Sequence, residues 1–179
     1  MLELGAKIVD ADEVYHFLLE SSSELRSALR REFGCEYFRA DGRLDRRRLG
    51  TFVFSSQEAL ARLNRLTHPP VIAEVLRRIE AFEPGSIVFL SAALLFEMGL
   101  DRQVDRVVLV YCLPEQQLSR LMDRDKLTED EALRRISSQW TLERKRELAD
   151  QVVDNSGSPD ATRDQVAALY QTLLAESAN

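Results

Sequence analysis

Four groups of residues have the types and spacing that chemistry needs. Asp10 and Asp12 follow the apolar run Ala6-Lys7-Ile8-Val9. In an open parallel sheet, ligands bind at the carboxyl ends of the strands. A carboxylate at such an end can orient a substrate hydroxyl, accept its proton, or hold a metal through water. Capping of the following helix by Asp12 is the competing reading. The second group is Asp41-Gly42-Arg43-Leu44-Asp45-Arg46-Arg47-Arg48-Leu49, a turn signal followed by an arginine cluster. Such a cluster either meets a phosphate or forms a solvated helix face.

The third group is the two histidines. His68, in Thr67-His68-Pro69-Pro70, is placed at a helix start, where it caps, packs or binds a ligand. His16 is placed on the apolar face of the first helix, a structural position. Two histidines cannot build a histidine-rich metal site. The fourth group contains Gln117, Arg120, Arg124, Asp125, Arg134, Arg135, Gln139, Arg144 and Lys145. Arginines converging from adjoining helices can clamp a polyphosphate and neutralise charge during phosphoryl transfer. Arg120 with Arg124, and Arg135 with Gln139, are each spaced one helical turn apart.

Strands and helices alternate to position these groups. Ala6–Val9, Ser86–Leu90, Arg106–Tyr111 and Gln151–Asp154 read as short, apolar, β-branched strands. Helices fill the gaps. Ser55 with Glu58 predicts a capping box, and Pro69-Pro70 predicts the start of a further helix. Pro114 suits the first turn of the helix carrying Leu118, Leu121 and Met122. Thr128 with Glu131 predicts a second capping box, and the last helix starts near Ser158-Pro159. This alternation predicts an α/β fold with right-handed crossovers.

Composition narrows the function classes. The chain has 179 residues, 24 Lys+Arg against 30 Asp+Glu, and a net charge of −6. That argues against nonspecific binding to nucleic acid or an anionic membrane. Arginine supplies almost all the positive charge, since only Lys7, Lys126 and Lys145 are lysines. Cys35 and Cys112 have no metal-like spacing and read as free thiols in a reducing cytoplasm. No apolar run is long enough for a membrane span. Met1–Gly5 lacks the pattern of a signal peptide, which predicts a cytoplasmic protein.

In order, these segments resemble the dephospho-coenzyme A kinase family. The resemblance begins with Leu4-Gly5-Ala6-Lys7-Ile8-Val9-Asp10-Ala11-Asp12, then Asp41–Arg47 with Leu49-Gly50 and Val53-Phe54, and the His68-Pro69 pair. It continues with Leu94-Leu95-Phe96-Glu97 and Gly99-Leu100, then Gln117 with Arg120-Leu121-Met122 and Arg124-Asp125. Leu127-Thr128 with Arg135-Ile136 and Gln139, then Ala149-Asp150 with Val153–Gly157, complete it. The resemblance implies transfer of the ATP γ-phosphate to the ribose 3′-hydroxyl of dephospho-CoA, with Mg²⁺. It also implies a parallel-sheet, P-loop kinase-like three-layer domain over residues 1–179, with a helical acceptor region at about 17–68 and a lid at about 120–145. Asp12 is then the catalytic base. Asp10, His16, His68 and Glu97 lie on the acceptor side, and Arg120, Arg124, Arg135, Gln139 and Asn155 on the ATP side. No metal-ligating residue is implied.

Three departures from the family pattern carry expectations. Ser91 and Ala93 stand where many members have an acidic residue and then Pro, and His16 stands where Arg is common. None of the seven glycines is followed by lysine, so the chain has no Gly-x-x-x-x-Gly-Lys loop. The family's first, central strand and that loop are expected to be missing. The sheet should therefore show a gap, a closed-up rearrangement or a borrowed strand, and phosphoryl transfer should be impaired. A non-catalytic CoA-binding relic and another small-molecule kinase of the same fold are the alternatives.

Overall fold

The computed structural model describes residues 1–177. Four strands form: β1 (Lys7–Asp10), β2 (Val88–Ser91), β3 (Val108–Tyr111) and β4 (Gln151–Asp154). Each falls on one of the four apolar runs. β3 and β4 are parallel, with Val108 opposite Gln151 and Tyr111 opposite Asp154. A parallel pair needs a long crossover, supplied by three helices: α5 (Pro114–Asp125), α6 (Glu129–Ser137) and α7 (Leu142–Leu148). Among the described residues the strands make two separate sheets, β1–β2 and β3–β4. β2 and β3 share no ladder. The chain divides into two compact units, one of residues 9–83 with 90–92, the other of residues 1–8, 84–89 and 93 onward.

The unit of residues 9–83 is helical. Its helices are α1 (Ala11–Ser21), α2 (Ser23–Phe33), α3 (Arg46–Val53) and α4 (Gln57–Glu80). Asp10, not Asp12, caps α1: its Oδ1 accepts from the Asp12 and Glu13 N–H groups at 2.8 and 3.1 Å. Ser22 ends α1 and also caps α2, accepting from the Leu25 N–H. Leu25, Leu29 and Phe33 recur every four residues along α2, so they share one buried face. They pack with Leu19, Leu44, Leu49, Val53 and Ala59 into one apolar core.

Two expectations for α4 are corrected. Ser56, one residue later than expected, makes the cap and accepts from the Ala59 N–H. The Ser55 hydroxyl instead donates to the Phe52 carbonyl and closes α3. Pro69-Pro70 does not start a helix but lies inside the 24-residue α4. The two prolines remove the donors for the Arg65 and Leu66 carbonyls, a local cost. Ala59, Thr67, Val71 and Val75 are buried on both sides of the break at multiples of four. That continuous face outweighs the loss.

In the other unit, Pro114 occupies the first turn of α5. Thr128 and Glu131 form the expected capping box of α6. The last helix, α8, runs from Pro159 to Ser177 and buries Leu169 and Tyr170. Cys35 and Cys112 are unbridged. Among the described residues no helix is long and apolar enough to cross a membrane.

Candidate active site

Asp10 and Asp12 divide the work between them at the end of β1. Asp10 is fully engaged, with Oδ1 on the start of α1 and Oδ2 accepting from the Ser91 hydroxyl at 3.0 Å. Asp12 lies in the first turn of α1, exposed and released from capping. A carboxylate freed in this way can accept a proton from a hydroxyl brought to the strand end. His16, one turn along α1 from Asp12, is exposed rather than on the apolar face. It borders a cleft of about 340 Å³ in the same unit. His68 is half-buried in the middle of α4, not at a helix start.

A second set of side chains gathers at the carboxyl end of the β3–β4 pair. The Asn155 N–H donates to the Tyr111 carbonyl at 2.7 Å, which continues the ladder past β4. The Asn155 carbonyl accepts from Arg120 Nη1 at 3.0 Å, and its Oδ1 accepts from the Thr162 hydroxyl. Ser156 accepts from the Leu113 N–H and from the Gln116 amide, fastening this loop to the start of α5.

At the far end of α5, two arginines meet one carboxylate. Arg124 grips Asp125 with both prongs, Nε to Oδ1 at 2.7 Å and Nη2 to Oδ2 at 3.2 Å. Arg135 Nη1, from α6, reaches Asp125 Oδ2 as well. The Arg124 hydrogen bonds, opposed in part by burial and helped by the charges of both arginines, hold the Asp125 carboxyl below its usual range. Two guanidinium forks are thus collected on one anion, a geometry that also suits phosphate oxygens. Gln139 lies just past α6, one turn on from Arg135.

Glu97 has a different environment. Its Oε1 pairs with Lys145 Nζ at 3.0 Å and accepts from the Trp140 N–H at 2.8 Å. The pair is largely buried, with the side chains 14% and 8% exposed. Lys145 also donates to the Ala93 carbonyl at 2.8 Å. Glu97 Oε2 is buried with no hydrogen-bond partner among the described residues. Phe96 and Trp140 stack with their ring centroids 6.0 Å apart.

A family model described as dephospho-CoA kinase matches residues 1–160 of the chain. The chain belongs to the dephospho-CoA kinase family. A dephospho-CoA kinase from Carboxydothermus hydrogenoformans is 40% identical over 171 residues, covering 94% of this chain and 83% of the relative. A crystal structure of a Thermus thermophilus protein superposes with a TM-score of 0.76 at 32% identity, covering 96% of this chain and 86% of that one. The dephospho-CoA kinase from Campylobacter jejuni gives a TM-score of 0.67 at 29% identity, with the same two coverages.

Some features of this dephospho-CoA kinase family member escape sequence reasoning. Asp125 and Lys145 stand out in sequence only as members of a charged cluster. Their roles as the anchor of Arg124 and Arg135, and as the partner of Glu97, come from contacts between helices. Arg26, in the wall of the cleft, gives no motif at all. Its one local clue is the single-residue join between α1 and α2, which brings it back onto the carbonyls of Leu19 and Glu20.

Proposed function

We propose that the chain is an ATP-dependent kinase that phosphorylates the ribose 3′-hydroxyl of dephospho-CoA, in one kinase-like domain that works in the cytoplasm. The family match over residues 1–160 carries this reading. Residues 17–68 form the acceptor region and residues 120–145 the lid. Asp12 is the base. It accepts a hydrogen bond from the 3′-hydroxyl and takes its proton as that oxygen bonds to the γ-phosphorus. The bond from the γ-phosphorus to the β,γ-bridging oxygen breaks, and ADP leaves with those electrons. The exposure of Asp12, relieved of capping by Asp10, supports this role.

Asp10, His16, His68 and Glu97 are assigned to the acceptor side. Asp10 acts by fixing the start of α1, and Glu97 has only Oε2 to offer. Arg120, Arg124, Arg135, Gln139 and Asn155 are assigned to ATP. Arg124 and Arg135 exchange Asp125 for phosphate oxygens, so that positive charge meets the charge developing in transfer. ATP enters as its Mg²⁺ complex. Among the described residues no three His, Cys, Asp or Glu side chains converge as a chelating group. Bound in this way, the ion would neutralise charge on the phosphates during transfer.

One observation favours a second reading. The chain has no glycine followed by lysine, so the usual cradle for the β-phosphate is not among its residues. A protein that binds dephospho-CoA without phosphorylating it fits that fact. Incubation with ATP, Mg²⁺ and dephospho-CoA, followed by mass spectrometry and a binding titration, separates the two. Formation of CoA supports the kinase. Binding without CoA formation supports the non-catalytic reading, and neither binding nor turnover overturns both.

A further inference from the structure

The cleft beside His16 has the chemistry of an anion site. Its walls carry Arg26 from α2, Arg39 and Arg43 from the turn after it, and Arg46 from the start of α3, opposed by Glu20 and Asp41. Four cations against two anions make it locally positive, in a chain whose net charge is −6. A concave wall of one sign concentrates ligands of the other.

The arginines are placed by structure rather than left loose. Arg26 Nη1 donates to the Leu19 and Glu20 carbonyls at 3.1 and 2.5 Å, which fixes its guanidinium at the end of α1. Arg39 and Arg43 flank a tight turn. The Arg39 N–H donates to the Arg43 carbonyl at 2.8 Å, and the Gly42 N–H donates to the Arg39 carbonyl at 2.9 Å. Gly42 has φ +80°, a backbone that glycine adopts without strain. Their own ion pairs are long and exposed, Arg39 to Asp45 and Arg43 to Asp41 both at 3.9 Å. Such pairs contribute little and yield readily to a better anion.

We propose that this cleft binds the diphosphate of the acceptor nucleotide, an inference that rests on the acceptor reading above. Asp12 and His16 are four residues apart on α1, so they share a face about 6 Å apart along the axis. In a nucleoside 5′-diphosphate ester, the 3′-hydroxyl and the diphosphate flank one ribose ring, a spacing of the same order. With the hydroxyl on Asp12, the diphosphate lies past His16, between Arg39 and Arg43.

The chain has two histidines, so the imidazole resonances report the site directly. Titration of the full chain with inorganic pyrophosphate should shift His16 saturably and leave His68 in place. The Arg39→Ala/Arg43→Ala variant should weaken that binding at least about tenfold, the scale of losing charge-assisted hydrogen bonds. Arg39→Lys/Arg43→Lys should recover part of it, with circular dichroism unchanged in both. Pyrophosphate that leaves His16 unmoved, or binds the alanine variant as tightly, overturns the proposal. If pyrophosphate moves His16 but dephospho-CoA does not, the cleft stands as a diphosphate site and the acceptor reading falls instead.

Discussion

Residues 9–83 and the crossover from β3 to β4 are each held together by a different kind of contact. In residues 9–83, Val14, Leu29, Val53 and Val75 are almost completely buried, and one apolar core joins α1 to α4. In the crossover from β3 to β4, none of the described residues of α5 is buried, α6 buries only Ala132, and α7 buries only Lys145. Caps and ion pairs take the place of packing there: the Thr128–Glu131 box, the Asp125 anchor and the Glu97–Lys145 pair. Apolar packing is dense, so it resists deformation. Polar contacts can be exchanged for a ligand's. The contrast matches the proposed division, with an acceptor region that keeps its shape and a lid whose arginines change partner.

The largest effect is expected from a hole in the packed unit. Leu29 is 0% exposed, and Leu29→Ala should cost about 3–5 kcal/mol in a denaturant titration followed by circular dichroism. A loss under about 1 kcal/mol would mean that the core is not close-packed. The next largest is expected from unmaking the buried pair. Lys145→Ala leaves the Glu97 carboxylate without its cation and should cost about 3 kcal/mol, the low end for a broken buried pair. The fluorescence of Trp140, whose N–H donates to Glu97, should change with it. An unchanged spectrum would argue that Lys145 does not hold this segment.

Part of this contrast is legible in the sequence. The strands follow from β-branched runs, and the Thr128–Glu131 box from its spacing, because both are local signals. α4 is misread because Pro-Pro is a strong local stop, while the buried face running through it is set by α1, α2 and α3. The sequence leaves Asp12 open between a cap and a free carboxylate, because Asp10 and Asp12 both suit a helix start. Backbone geometry, not residue type, selects Asp10. His16 is misread because the apolar face of α1 follows Ala11, Val14 and Leu19. The Glu97–Lys145 pair spans 48 positions and leaves no periodic trace.

Smaller effects are expected where the ion pairs are more exposed. Asp125→Asn removes the charge that collects Arg124 and Arg135. Because these groups are partly exposed, the stability change should be about 1 kcal/mol or less, and smaller at high salt. A salt-independent loss would place the contact in the packed class instead. Glu74, on α4, is held at about 2 rather than the usual 4.5 by hydrogen bonds from Arg77 and Arg78. Its contribution is full above pH 4.5 and is lost as pH falls toward about 2. Glu74→Gln should flatten that part of the stability profile, read by thermal melts across the range. An unchanged profile would show that these arginines do not hold the carboxylate in solution.

The most direct test compares CoA formation by the wild-type chain and by Asp12→Asn, with ATP and dephospho-CoA, alongside binding of dephospho-CoA. The role of Asp12 as base predicts measurable turnover in the first, a fall of at least about 100-fold in the second, and binding retained in both. Equal turnover in the two proteins would contradict it.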